Sequence, residues 1–132
     1  MTAELVALSV LAMAPAGTVL GEVPGEDPPL PWRSLTVRMP TTHTESDAGT
    51  GVADLVRVTA TLSAASDQGV LRIADEMVVA LAGRRPVVEG WTCGPLRHVG
   101  SSDPYLAQPT ETQSNRRVTV CHVSFAFTAV RH

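Results

Sequence analysis

The sequence contains no lysine, so each of its ten basic residues is an arginine. Isoleucine, asparagine and tyrosine are almost as scarce, because each occurs once, as Ile73, Asn115 and Tyr105. The codons of these scarce residues are rich in A and T. Their scarcity indicates a high-GC genome, and it leaves the chemistry of the protein open.

Positive charge is neither abundant nor clustered. The net charge is -3 and the arginines are dispersed along the chain, so the sequence lacks the basic patch of a protein that binds nucleic acid tightly. Aromatic residues make up only 4% of the chain. None adjoins the Arg84-Arg85 or Arg116-Arg117 pair, where stacking on bases would need one.

The two cysteines, Cys93 and Cys121, are too few for a disulfide framework. They could form one bridge in an exported protein, but reduced, buried thiols are the simpler interpretation. With His98 and His122 they have residue types that suit zinc. Because Cys121 and His122 are neighbours in a predicted strand, their side chains point to opposite faces. The sequence therefore predicts no metal site.

Motifs of common catalytic sites are missing too. The sequence lacks a Walker loop, a G-x-S-x-G elbow, an H-E-x-x-H helix and a glycine-rich dinucleotide turn. His98, Ser101, Ser102 and Asp103 have the residue types of a hydrolase site, but a catalytic triad normally joins distant segments of a chain. We expect neither enzyme activity nor a cofactor. A small enzyme and a monomeric binding module are the competing classes.

No stretch approaches the ~20 apolar residues of a membrane span. The apolar run from Leu5 to Ala14 ends in Ala12-Met13-Ala14, which has the form of a signal-peptidase site. The segment before it contains Glu4 and no basic residue, whereas a signal peptide needs positive charge there. A secreted protein with a cleaved N-terminal signal is therefore the less favoured alternative.

Length and patterning favour one packed domain over residues 1–132, since 44% of the residues are hydrophobic and 17% are charged. A helix is predicted from about Ala3 to Ala14, where Pro15 and Gly17 end it. Alternating apolar and polar residues indicate half-buried strands. We predict an α+β fold with two helices and an antiparallel or mixed sheet of about four strands. The strand patterns occupy residues 18–23, 35–39, 56–63, 95–99 and 117–130.

The clearest element is a helix from about Ser66 to Ala82, which Ser66 or a nearby serine caps and Gly83 closes. Its outer face should hold Arg72, paired with Asp75 and Glu76. Apolar residues at spacings of three and four form one stripe, which should pack on one face of the sheet. The stripe consists of Val70, Ile73, Ala74, Met77, Val78 and Leu81.

Two regions break these patterns. In the last strand Phe125 and Phe127 share one parity while Val118 and Val120 have the other, which predicts a β-bulge near Cys121. The segments from Thr41 to Ala53 and from Gly100 to Asn115 are rich in Thr, Ser, Gly, Asp and Pro. Their lengths are typical of functional or disordered loops. We expect both to be mobile in a free subunit and ordered on assembly.

Surplus apolar surface favours contact with another subunit. The apolar residues of the first helix cover nearly every direction around its axis, so burying one face leaves another apolar. Val79 also lies within the polar face of the main helix. The residues predicted to form interfaces are Leu5, Leu8, Val79, Arg84, Arg85, Thr44, Asp47 and Tyr105.

Several segments follow one another along the chain in a distinctive order. The apolar first helix precedes a strand that ends in Val23-Pro24 and the strand Leu35-Thr-Val-Arg-Met39. Four further segments continue the order: Leu55-Val-Arg-Val-Thr-Ala-Thr-Leu62, the helix from Leu71 to Leu81, Trp91-Thr-Cys-Gly-Pro-Leu96 and Arg117-Val-Thr-Val120. This layout, which covers almost the whole chain, resembles the tail terminator proteins of siphophages that infect actinobacteria.

The resemblance implies a structural protein of the virion, made in the host cytoplasm. Proteins of this family form a ring, generally hexameric, on the head-proximal end of the tail tube. The implied partners are copies of the chain, the tail tube protein and a head-completion or neck protein, with DNA only as passing cargo. Another small tail-completion or neck protein is the alternative, and no catalytic residue set is carried over.

Overall fold

Two long strands and one amphipathic helix dominate the computed structural model, which describes residues 2–21, 30–39, 53–107 and 118–131. The helices are α1 (Thr2–Met13) and α2 (Asp67–Leu81). The strands are β1 (Thr18–Leu20), β2 (Trp32–Arg38), β3 (Ala53–Ala64), β4 (Trp91–Cys93), β5 (Arg97–Ser101), β6 (Tyr105–Leu106) and β7 (Thr119–Arg131). Neither helix is long and apolar enough to cross a membrane.

The sheet is built outward from β3 and β7, which pair antiparallel from Ala53 opposite Val130 to Ala64 opposite Thr119. The free edge of β3 binds β2 antiparallel, and β1 joins β2 in parallel. Along the other edge of β7 lie β4, β5 and β6 in succession. The predicted α+β class with a mixed sheet and two helices is confirmed.

The described residues form seven strands, whereas the sequence predicted about four. The predicted strand at residues 18–23 contains β1, and the strands without a predicted counterpart are β4 and β6, which have only three and two residues. A run of that length is too short to show an alternating pattern. Such strands form because their backbone groups hydrogen-bond to a longer neighbouring strand. The residue pattern of the short segment itself does not reveal that pairing.

The core lies between α2 and one face of the central strands. The predicted stripe of α2 is confirmed, since Val70, Ile73, Ala74, Met77 and Leu81 are all buried. They pack on Val56, Val58, Phe125 and Phe127. Ser66 caps the helix as predicted, because its Oγ accepts a hydrogen bond of 3.0 Å from the backbone N–H of Gly69. Beyond the helix Gly83 has a φ of +78°, a conformation that favours glycine.

The first helix adds two fully buried residues, Val6 and Val10, to the same core. The opposite side of α1 carries Leu5 and Leu8, whose side chains are 51% and 47% exposed. These exposures agree with the prediction that burying one face of α1 leaves a second apolar face. Removal of the segment that ends at Ala14 would also remove Val6 and Val10 from the core.

The predicted bulge near Cys121 is wrong, because β7 pairs with β3 in unbroken register on both sides of that residue. The irregularity lies in β5, between His98 and Gly100. Near the start of β7, buried residues lie on both faces of the strand. On the face away from the helices, Val120 is only 7% exposed. Its cross-strand neighbours there are Ser63 and Tyr105, so the change of parity reflects burial on two faces.

Two other expectations need correction. Residues 100 to 107 of the predicted second loop lie along β7, where the N–H of Ala107 donates to the carbonyl of Val118. The rest of that segment, and residues 41 to 52 of the first loop, lie outside the described residues. In addition, Glu76 forms its ion pair with Arg33 of β2, Nη2 to Oε2 3.1 Å, where pairing with Arg72 was expected.

Met77 should be one of the most costly positions in the fold to truncate. Its side chain is fully buried in α2, so Met77→Ala should lower the free energy of unfolding by about 2 to 5 kcal/mol. Arg72 is exposed on the same helix, and Arg72→Ala should cost at most about 1 kcal/mol. Urea unfolding of both variants measures the difference. Equal losses would show that the helix has another orientation.

Candidate functional site

The residues considered for a metal site do not come together. Cys93 lies opposite Ala129 on β7, and Cys121 lies on β7 itself. Eight residues of strand separate these positions, or about 26 Å at 3.3 Å per residue. A disulfide between the two buried, reduced thiols would need Cα atoms within about 7 Å. Among the described residues no group of three or more His, Cys, Asp or Glu could hold an ion.

The two thiols also have low reactivity. Burial raises the pKa of the Cys93 thiol, and the charge of Arg85 offsets this only in part. Burial likewise raises the pKa of Cys121, whose hydrogen bond with Ser102 lowers it and whose neighbour Asp103 raises it. Both side chains are therefore protonated at neutral pH, which disfavours a role as nucleophile or ligand.

The residues whose types suggested a hydrolase site lie at the edge of the sheet. Ser102 exchanges two hydrogen bonds with the backbone of His122: its N–H donates to the carbonyl at 2.8 Å, and its Oγ accepts from the N–H at 2.9 Å. His98 and Ser101 form an exposed pair, Nε2 to Oγ 2.9 Å. The Asp103 charge acts on Cys121. The four residues therefore do not form the hydrogen-bonded chain of nucleophile, base and orienting acid that a catalytic triad requires.

A polar cluster lies on the outer face, by which we mean the sheet face opposite the helices. His122 is held by Thr61, Oγ1 to Nδ1 3.2 Å, and by Tyr105, hydroxyl to Nε2 2.8 Å. The Tyr105 ring also stacks on the imidazole with centroids 5.8 Å apart. Since these residues belong to β3, β7 and β6, the cluster fastens the short β6 to the sheet. Tyr105 is still 48% exposed.

The predicted interface residues divide between the two sides of the sheet. Val79 is 80% exposed on α2, and it shares a groove of about 590 Å³ with Arg84. Arg85 is exposed and acts on Cys93. Leu5 and Leu8 lie on α1, on the helix side, whereas Tyr105 lies on the outer face. Thr44 and Asp47 lie outside the described residues.

The outer face also carries a row of arginines that sequence reasoning missed. Arg38 pairs in register with Arg57, Arg57 with Ala126, and Ala126 with Arg97. All three arginines are exposed. The alternating pattern placed Arg38 and Arg57 on polar faces of their strands, but their proximity depends on strand register, which the sequence does not reveal.

A groove of about 710 Å³ runs beside this row, and its lining combines charge with apolar surface. Arg57 and Arg97 contribute the charge. Leu55 and Val99 contribute apolar side chains that are 40% and 66% exposed. The groove therefore suits a partner that presents both carboxylates and apolar groups.

Comparison with known proteins rests on structure alone. No family model matches the chain, and no curated protein sequence matches it. A chain from the virion of a native gene transfer agent particle matches with a TM-score of 0.64 and 13% identity. The match covers 92% of this chain and 84% of the other. The two chains share a fold.

Both cysteines should resist thiol reagents until the protein unfolds. Their thiols are buried and have raised pKa values, so native protein at pH 8 should react with Ellman's reagent at least about 100-fold more slowly than unfolded protein. Because the thiolate fraction levels off only above the pKa, the native rate should still rise with pH above about 8.5, where the rate of an ordinary thiol levels off. Guanidinium-unfolded protein gives the reference rate. Rapid labelling of native protein would contradict this assignment.

Proposed function

We propose that the protein is a structural component of a phage virion, a tail terminator that forms a ring on the head-proximal end of the tail tube. The observation that carries the proposal is the fold shared with a chain of the gene transfer agent virion over 92% of the present chain. The resemblance to siphophage tail terminators narrows it to the terminator position and to a hexameric ring.

The distribution of exposed apolar side chains supports assembly. Leu5, Leu8 and Ala12 follow at intervals of three and four residues, so they occupy one face of α1, and all three are exposed. Val79 and Leu71 add apolar surface to α2 at 80% and 48% exposure. A ring requires that one patch of a subunit meets a different patch of the next. The helix side and the outer face supply two such patches.

The partners follow from that position in the virion. Copies of the chain would close the ring, the tail tube protein would bind one rim, and a head-completion or neck protein would bind the other. DNA would pass through the lumen as cargo. A chain of net charge -3 suits that passage, because it would not bind the phosphates of the DNA tightly. The proposed role is structural and involves no catalysis.

Another small tail-completion or neck protein is the second candidate, because it would share the virion location and need not stop tube growth. Deleting the gene separates the two. A terminator mutant should assemble tails of uncontrolled length without heads, whereas a neck-protein mutant should assemble tails of normal length. Electron micrographs of lysates give the length distribution, and complementation with the intact gene is the control.

The apolar face of α1 should be needed in the assembled particle. Leu8 is 47% exposed in the isolated chain, so Leu8→Asp should fold normally yet place a charge in a dry contact, which is costly. We expect at least a tenfold drop in completed particles when this variant is added to extracts that lack the protein. Val87→Asp is the matched control, because Val87 lies outside both helices and is 89% exposed. Full activity of Leu8→Asp would exclude this face as a contact.

A further inference from the structure

The arginine row of Arg38, Arg57 and Arg97 concentrates positive charge on the described part of the outer face. Like charges that face one another directly across strands destabilise a sheet, and Arg38 lies directly opposite Arg57. The ion pair of Arg33 with Glu76 lies on the helix side of the sheet, away from this row. The described strands place no Asp or Glu on the outer face.

A second surface of the same chain has the complementary chemistry. Asp67, Leu71, Asp75 and Val79 follow at intervals of four residues on α2, and all four are exposed. Each interval turns the helix by only about 40°, so the four side chains form one slanting stripe. We call it the acidic stripe. Arg72 and Glu76 lie on the neighbouring flank, where Glu76 is engaged with Arg33.

The dimensions of the two surfaces agree. Asp67 and Asp75 are separated by eight residues of helix, or about 12 Å. The arginine row runs from β2 through β3 and β7 to β5, and three strand spacings give about 14 Å from Arg38 to Arg97. Both surfaces interleave apolar side chains with the charges. Those of the stripe are Leu71 and Val79, and those beside the row are Leu55 and Val99.

We propose that the acidic stripe of one copy binds the arginine row of the next copy, and that this is the repeating contact of the ring. The inference rests on the proposed ring and specifies its interface. The two surfaces lie on opposite sides of the sheet, so each subunit offers both at once, as a head-to-tail contact requires. Three arginines beside apolar side chains fit a protein surface better than the run of phosphates on a nucleic acid.

Charge reversal tests the contact. Arg57→Glu and Asp75→Arg should each weaken self-association roughly tenfold at low salt, because each change turns an attraction into a repulsion. Arg57→Glu should still fold, since the new carboxylate would face Arg38 across the strands. Combining both changes in one chain should restore association to within about threefold of the starting protein, because the swapped charges again attract. Sedimentation equilibrium gives the association constants.

Mixing the two single variants provides an independent test. Each variant repels itself, but the reversed stripe of one can bind the reversed row of the other, and the two unreversed surfaces can pair as well. An equimolar mixture should therefore form assemblies that neither variant forms alone. Glu89→Arg, a charge change at an exposed turn residue that lines neither groove, should leave association unchanged. Thermal melts of every variant verify folding.

Three outcomes would overturn the inference. If the protein assembles and neither reversal weakens it, this contact is wrong while the ring still stands. If the unaltered protein never assembles, alone or in virions, the proposed ring fails and the contact with it. If duplex DNA binds the protein, and Arg57→Glu abolishes that binding while Asp75→Arg leaves self-association intact, then the arginine row serves a polyanion.

Discussion

The antiparallel pairing of β3 with β7 is the constraint on which the rest of the fold depends. Twelve consecutive residue pairs, from Ala53–Val130 to Ala64–Thr119, fix which side chains of both strands face the helices. A slip of one residue would turn Phe125 and Phe127 to the opposite face. Every other strand except β1 pairs directly with one of these two, and α2 packs on both. Register, core and helix position are therefore set together.

This arrangement leaves the sheet with two unlike faces. The helices cover one face with apolar side chains, whereas the outer face carries hydroxyls, the His122 cluster and the arginine row. On that face Thr61 and Tyr105 hold His122 in place, because they occupy its two ring nitrogens. A subunit of this kind is directional, since its two sides cannot substitute for each other in a contact.

The sequence predicted those parts of the fold whose pattern is long enough to read. The α2 stripe and the buried residues of β3 follow helical and strand periods, and both are confirmed. The strands β4 and β6 left no such pattern, because long-range pairing with β7 forms them. The same limit hid the arginine row: Arg38 and Arg97 are 59 positions apart in the sequence, and only the register of four strands makes them neighbours.

The arginine row also limits which assemblies of the chain can form. Two outer faces that met symmetrically would bring two arginine rows together, and their repulsion would oppose a closed dimer through that surface. Contact between the outer face and the helix side carries no such penalty, because the acidic stripe there has the opposite charge. The same arginines would thus select head-to-tail association. The proposed ring needs that selection, since a symmetric dimer would end its growth at two subunits.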